Sequence, residues 1–133
     1  MNATPTDMVR LHGEVTALQR QGCRFVTMTC VDLGEEFDVL YHFDLHYELK
    51  TLRVKLPKGQ PLPSISHLCF AATIVENEIK DLFGLEITGL AVDYQGRFLL
   101  SEDAPKAPLN RNCGMGVEVR VKSPGPAEGS APA

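Results

Sequence analysis

Tryptophan is absent from this chain, aromatic residues make up 7% of it, and its apolar runs are only a few residues long. A helical membrane span needs about 20 apolar residues in a row, so none is expected. Cysteine is sparse as well. Cys23, Cys30, Cys69 and Cys113 include no Cys-x-x-Cys pair and fit no common zinc or iron–sulfur spacing. At 133 residues a disulfide scaffold is not expected, and reduced thiols in a cytosolic protein are the simple reading. Neither a Gly-x-Gly-x-x-Gly nor a P-loop occurs, so no nucleotide site is predicted. The first seven residues lack the basic start and apolar centre of a secretory signal. A net charge of −4 opposes general nucleic-acid binding, whose footprint is a basic patch.

What remains is a 44% hydrophobic composition, enough for one modest core. Residues 1–112 read as a single α+β domain, and 113–133 as a C-terminal arm followed by a disordered tail rich in Pro, Gly and Ala. Thr6-Asp7 can cap a first helix with Met8, Leu11, Val15 and Leu18 on its apolar side and Gly22 at its end. Arg24 to Asp32 reads as a strand. From Phe37 onwards Val39, Tyr41, Phe43 and Leu45 alternate with Leu40, His42, Asp44 and His46, and a break near Leu45–Glu48 predicts a hairpin into Leu52, Val54 and Leu56. After a Pro-rich connection and a second helix, Leu85 and Ile87 form a short strand, and 97–100 can add an extended piece. Val117–Val121 alternates as an edge strand or arm. This order predicts an antiparallel sheet of three to four strands, with an N-terminal and a central helix packed on it.

The central stretch is residues 64–89. Ile65, Leu68, Ala72, Val75, Ile79, Leu82 and Phe83 recur at helical spacing, with Ser64 or Ser66 as the expected cap and Gly84 as the stop. Glu76 falls inside the apolar stripe, so its charge must be paired or neutralised. An arginine or a backbone group can do this, within the chain or across an interface. Phe70 and Ile74 lie on the opposite side, near Asn77, Glu78 and Asp81. A helix apolar on two sides is usually covered on two sides, which points to a partner whose cations meet Glu78 and Asp81.

Catalytic readings are weaker. Glu76 with Glu78 or Asp81 offers carboxylates for acid–base work, but side chains two apart on a helix diverge. His42 and His46 share a strand face about 13 Å apart, too far for one ion. His67 and Cys69 diverge on a helix, leaving Cys69 as a small core hydrophobe. A free-standing enzyme using Glu76 or Cys69 stays as the rival reading.

Val75-Glu-Asn-Glu-Ile-Lys-Asp-Leu-Phe-Gly-Leu85 resembles the signature of the 30 kDa subunit family of respiratory NADH dehydrogenase, which includes the small subunit of energy-converting [NiFe] hydrogenases. Ala71, Ala72, Glu76, Glu78, Asp81, Leu82, Phe83 and Gly84 match the pattern. Ile74 stands where the family usually has Trp, Asn77 where it has Arg, and Phe70 where Pro is frequent. The resemblance covers about residues 8–105. The Gly-His-Pro and Pro-Leu-Arg-Lys elements of the NADH dehydrogenase form are missing, and the short ending is more similar to the hydrogenase form. Arg97 is the counterpart of the family's arginine in that region.

The resemblance implies a cofactor-free, non-catalytic subunit, with nickel–iron and iron–sulfur clusters carried by its partners. It implies docking on the hydrogenase large subunit, the homologue of the quinone-site subunit of NADH dehydrogenase, beside iron–sulfur subunits on the cytoplasmic side of the membrane. The same role in a proton-pumping NADH:quinone oxidoreductase is the alternative.

Overall fold

The structure is a computed structural model and describes residues 3–110. Its elements run β1 (Ala3–Thr6), α1 (Leu11–Arg20), β2 (Arg24–Asp32), β3 (Glu36–Leu45), β4 (Glu48–Pro57), β5 (Leu62–Pro63), α2 (Ala72–Phe83) and β6 (Ile87–Thr88). The main sheet has the order β1-β4-β3-β2. Its β2–β3 and β3–β4 pairs are antiparallel, and β1 joins the β4 edge in parallel. The fold is thus α+β on a mostly antiparallel sheet of four strands, within the three to four expected, although β1 and the short β5 carry no strand signal in the sequence. Ala-Thr-Pro-Thr is too short for a periodic pattern, and Pro5, which has no N–H to give to a ladder, is tolerated there because β1 is an edge.

Alternation decides which face is buried. Phe37, Val39, Tyr41 and Phe43 point inwards and are almost fully buried. They join Leu52, Val54 and Leu56 of β4, Leu11 and Val15 of α1, and Ala72 and Ile79 of α2 in one core. Phe25 meets Phe43 edge-on at 5.7 Å, and Phe37 meets Phe83 at 6.1 Å. The other face is polar: His42 bridges Thr29 and Thr51 at 3.0 Å each, and Arg53 grips Asp38 through two hydrogen bonds. The hairpin turns at His46 (φ 49°) and Tyr47 (φ 69°), both left-handed, which suits the twist of a two-residue turn but is uncommon without Asn or Gly.

Three sequence expectations are corrected. The central helix begins at Ala72 rather than near Ser64, and Ser64 and Ser66 are not its caps. Leu68 consequently leaves the apolar stripe and is 36% exposed. Residues 97–100 form no strand. The expected arm at Val117–Val121 and the tail lie outside the described residues.

Candidate functional site on the central helix

The displaced helix start has a local cause. Glu76 is fully buried, and its carboxylate accepts from the Ser64 hydroxyl at 2.5 Å and the Ile65 backbone N–H at 2.8 Å. Ser64 Oγ also accepts from the Ser66 N–H, and Ser66 Oγ in turn accepts from the Ala91 N–H. The donors that a helix beginning at residue 64 would leave free are therefore spent elsewhere: the Ser64 N–H on Thr88 O, the Ile65 N–H on Glu76 and the Ser66 N–H on Ser64 Oγ. Glu76 needs a partner, and the structure supplies a hydroxyl and a backbone group of this chain. Burial pushes the Glu76 carboxyl above the ordinary carboxylate range, against the opposing pull of those two donors and of nearby His12 and His67. Tyr41, facing the same region, has its hydroxyl buried without a partner among the described residues, and its pKa is raised by burial and by the Glu76 charge.

A second face of α2 fastens the irregular segment that follows β6. Asn77 donates to Thr73 O and Val92 O, and its side-chain oxygen accepts from the Tyr94 N–H. One turn on, Asp81 Oδ2 accepts from the Leu99 N–H at 2.6 Å and more weakly from Leu100 at 3.4 Å. Lys80 holds Asp93. Asp81, expected to face a partner, is only 3% exposed and belongs to this internal clamp. The signal for it was present: Asn77 and Asp81 are four apart, so they share a face and can serve consecutive backbone groups of one passing segment.

Gly84 ends the helix at φ 71°, and a Cβ there would come within 2.9 Å of the Ala107 side chain. Leu82 contributes its carbonyl to the Leu109 N–H, and Phe83 packs on Phe37. Arg97 is exposed and pairs with Glu102 at 2.7 Å. The third face is different. Ile74 is 57% exposed, as is Phe70 at 71% in the turn just before the helix, with half-buried Glu78 one turn beyond Ile74. Val92 and Tyr94, also exposed, lie alongside, held by the Asn77 bonds.

Nucleophilic chemistry finds little purchase. The Cys69 thiol is raised by burial and by Glu76 and meets the Gln19 amide at 3.1 Å, while Cys30 is pushed up to about 12. Among the described residues no three His, Cys, Asp or Glu side chains are placed to hold a metal ion.

Fold and site together define a small α+β domain whose acidic helix motif is largely an internal fastening, with an apolar ridge left open beside it. The sequence profile described as "Respiratory-chain NADH dehydrogenase, 30 Kd subunit" matches residues 4–118, and the chain belongs to that family. It is 39% identical over 75 residues to the C-subunit of NADH-quinone oxidoreductase from Ruegeria pomeroyi, covering 50% of this chain and 38% of that protein. Against the protein of the same name from Jannaschia sp. the identity is 40% over 77 residues, covering 52% and 37%. The matches thus span well under half the length of these relatives. In fold it is similar to a chain in the structure of the membrane-bound sulfane sulfur reductase, an archaeal respiratory membrane complex. That likeness has a TM-score of 0.67 at 15% identity, over 74% of this chain and 62% of the other.

Proposed function

We propose that this chain is a non-catalytic, cofactor-free subunit of a membrane-bound respiratory complex, and specifically of the energy-converting [NiFe] hydrogenase kind. It would dock on the catalytic large subunit on the cytoplasmic side and stiffen the peripheral arm, with nickel–iron and iron–sulfur clusters in its partners. The observation that supports a docking role is the Phe70–Ile74 ridge, two large exposed apolar side chains, one in the turn that leads into α2 and one in its first turn. Family membership supplies the kind of assembly. No helix among the described residues is long and apolar enough to cross a membrane, so attachment is proposed to run through other subunits. Purification of the native complex through a tag on this chain tests the reading. Co-migration with a nickel-containing large subunit supports it, and recovery of the chain alone from solubilised membranes would refute it.

A second reading, the 30 kDa subunit of an NADH:quinone oxidoreductase, is favoured by the curated relatives, which are named for that enzyme. NADH oxidation without nickel in the purified complex would select it.

A further inference from the structure

The clamp around Asp81 leaves one bond unmade. A pocket of about 530 Å³ opens between the C-terminal half of α2 and residues 95–107, with Lys80, Asp81, Arg97, Glu102 and Lys106 in its wall. Most of the wall's charge is already matched. Lys80 is held by Asp93 at 2.9 Å, and Arg97 by Glu102 at 2.7 Å. Lys106 is exposed to water, which solvates it at little cost. Asp81 differs. Its side chain is 3% exposed, its Oδ2 takes the Leu99 and Leu100 N–H groups, and its Oδ1 is buried with no donor among the described residues. A carboxylate oxygen withdrawn from water without a donor is destabilising by more than any exposed pair in the wall contributes.

We infer that this pocket is the socket for a basic side chain, arginine or lysine, presented by the subunit on which the chain docks. The incoming cation would give Asp81 Oδ1 its missing donor. It would also share Glu102, whose present partner Arg97 is 67% exposed in its side chain and free to swing outwards. An anionic ligand fits less well, since two of the three wall cations are neutralised already and the unmatched buried atom is an acceptor. The inference rests on the proposed docking role and adds the chemistry of one contact to it.

Asp81→Asn is the decisive substitution. The amide oxygen can still accept from Leu99 and Leu100, while an NH₂ replaces the unmatched oxygen and turns the position from cation acceptor to donor. The full chain carrying the change is expressed in place of the native copy, and its retention in the detergent-solubilised complex is measured alongside the thermal midpoint of the free chain. We expect an unchanged or slightly higher midpoint and docking weakened on the order of 30-fold or more, the scale for losing one partner of a buried charge pair. A photo-crosslinking residue at Ser101 should also link to a large-subunit peptide containing Arg or Lys. Undiminished retention of Asp81→Asn overturns the inference. So does a marked fall in the free chain's midpoint, because the missing donor would then be internal. Phe70→Asp with Ile74→Asp separates the two levels. If that variant is lost from the complex while Asp81→Asn stays, the docking role stands and the socket falls. If wild type itself is never retained, the docking role falls first.

Discussion

Glu76 and Glu78 stand two residues apart on α2, and the helix turns them into different media. Glu76 points into the core, where a hydroxyl and a backbone N–H meet it and no arginine or lysine is bonded to it among the described residues. Glu78 is half exposed, in line with Ile74 and Phe70. Between these directions, Asn77 and Asp81 grip the segment that crosses the helix. The comparison teaches that acids two residues apart in one motif can be turned to opposite surroundings, one into the core and one to the surface. Glu76, Asn77, Lys80 and Asp81 fasten neighbouring segments to the helix, whereas Glu78 lies at its surface beside Ile74.

If the inner face is a fastening, removing it should be costly. Glu76→Ala strands the Ile65 N–H, breaks the Ser64–Ser66 chain to Ala91, and leaves a cavity. Relief of the buried carboxylate offsets part of this. A loss of about 2–4 kcal/mol is expected, measured by denaturant unfolding of the free chain. A loss below about 0.5 kcal/mol would show that the 64–66 turn stands without it.

Gly84→Ala comes next. The left-handed backbone at 71° and the 2.9 Å approach to Ala107 both penalise a Cβ, for about 1–3 kcal/mol together. Because Ala107 lies in the crossing segment, hydrogen exchange at Leu99 and Leu109, whose N–H groups bond to α2, should quicken in this variant. Unchanged exchange there would mean that the helix end and the segment are not coupled.

The sheet was legible because alternation and burial agree. Arg24–Asp32 is found as read, and the hairpin break falls between Leu45 and Glu48. The start of α2 was not legible, since Ile65, Leu68 and Ala72 have helical spacing whether or not the backbone between them is helical. Only the long-range bond from Glu76 to residues 64 and 65 excludes the longer helix, and periodicity carries no such information. The segment after β6 was opaque for a related reason. Its order comes from Asn77, Lys80 and Asp81 rather than from any pattern of its own. The burial of Glu76 and the exposure of Phe70 and Ile74 could be read, because each is a single departure from an otherwise regular stripe.

Glu76 also predicts a pH dependence. Its folded pKa lies above the ordinary value of 4.5, so the folded state holds the proton more tightly than the unfolded chain. The stability this linkage contributes is full below the unfolded pKa and is lost as pH rises through the folded value. Glu76→Gln, with no proton to lose, should therefore gain on wild type as pH rises across that window. Thermal midpoints of both proteins, subtracted at each pH, cancel other groups such as His42, whose lowered pKa tilts stability the opposite way below 6.5. A flat difference would mean that Glu76 is as easily ionised folded as unfolded.

The smallest stability effect belongs to the outer ridge, and its smallness is informative. Phe70→Ser with Ile74→Ser removes side chains that are 71% and 57% exposed. Little apolar area is returned to water, so the free chain should change by no more than about 0.5 kcal/mol. If the ridge is the docking surface proposed above, the same pair removes an apolar anchor from that contact, the kind of side chain that carries most of the binding energy. Retention in the complex should fall steeply while the melting curve of the free chain barely moves. Glu78→Lys sharpens the point: a half-buried charge at the helix surface, it should change the melt little, yet oppose a basic partner surface. A ridge variant that destabilised the free chain as much as Glu76→Ala would erase the distinction between the two faces, and α2 would then be a fold element throughout.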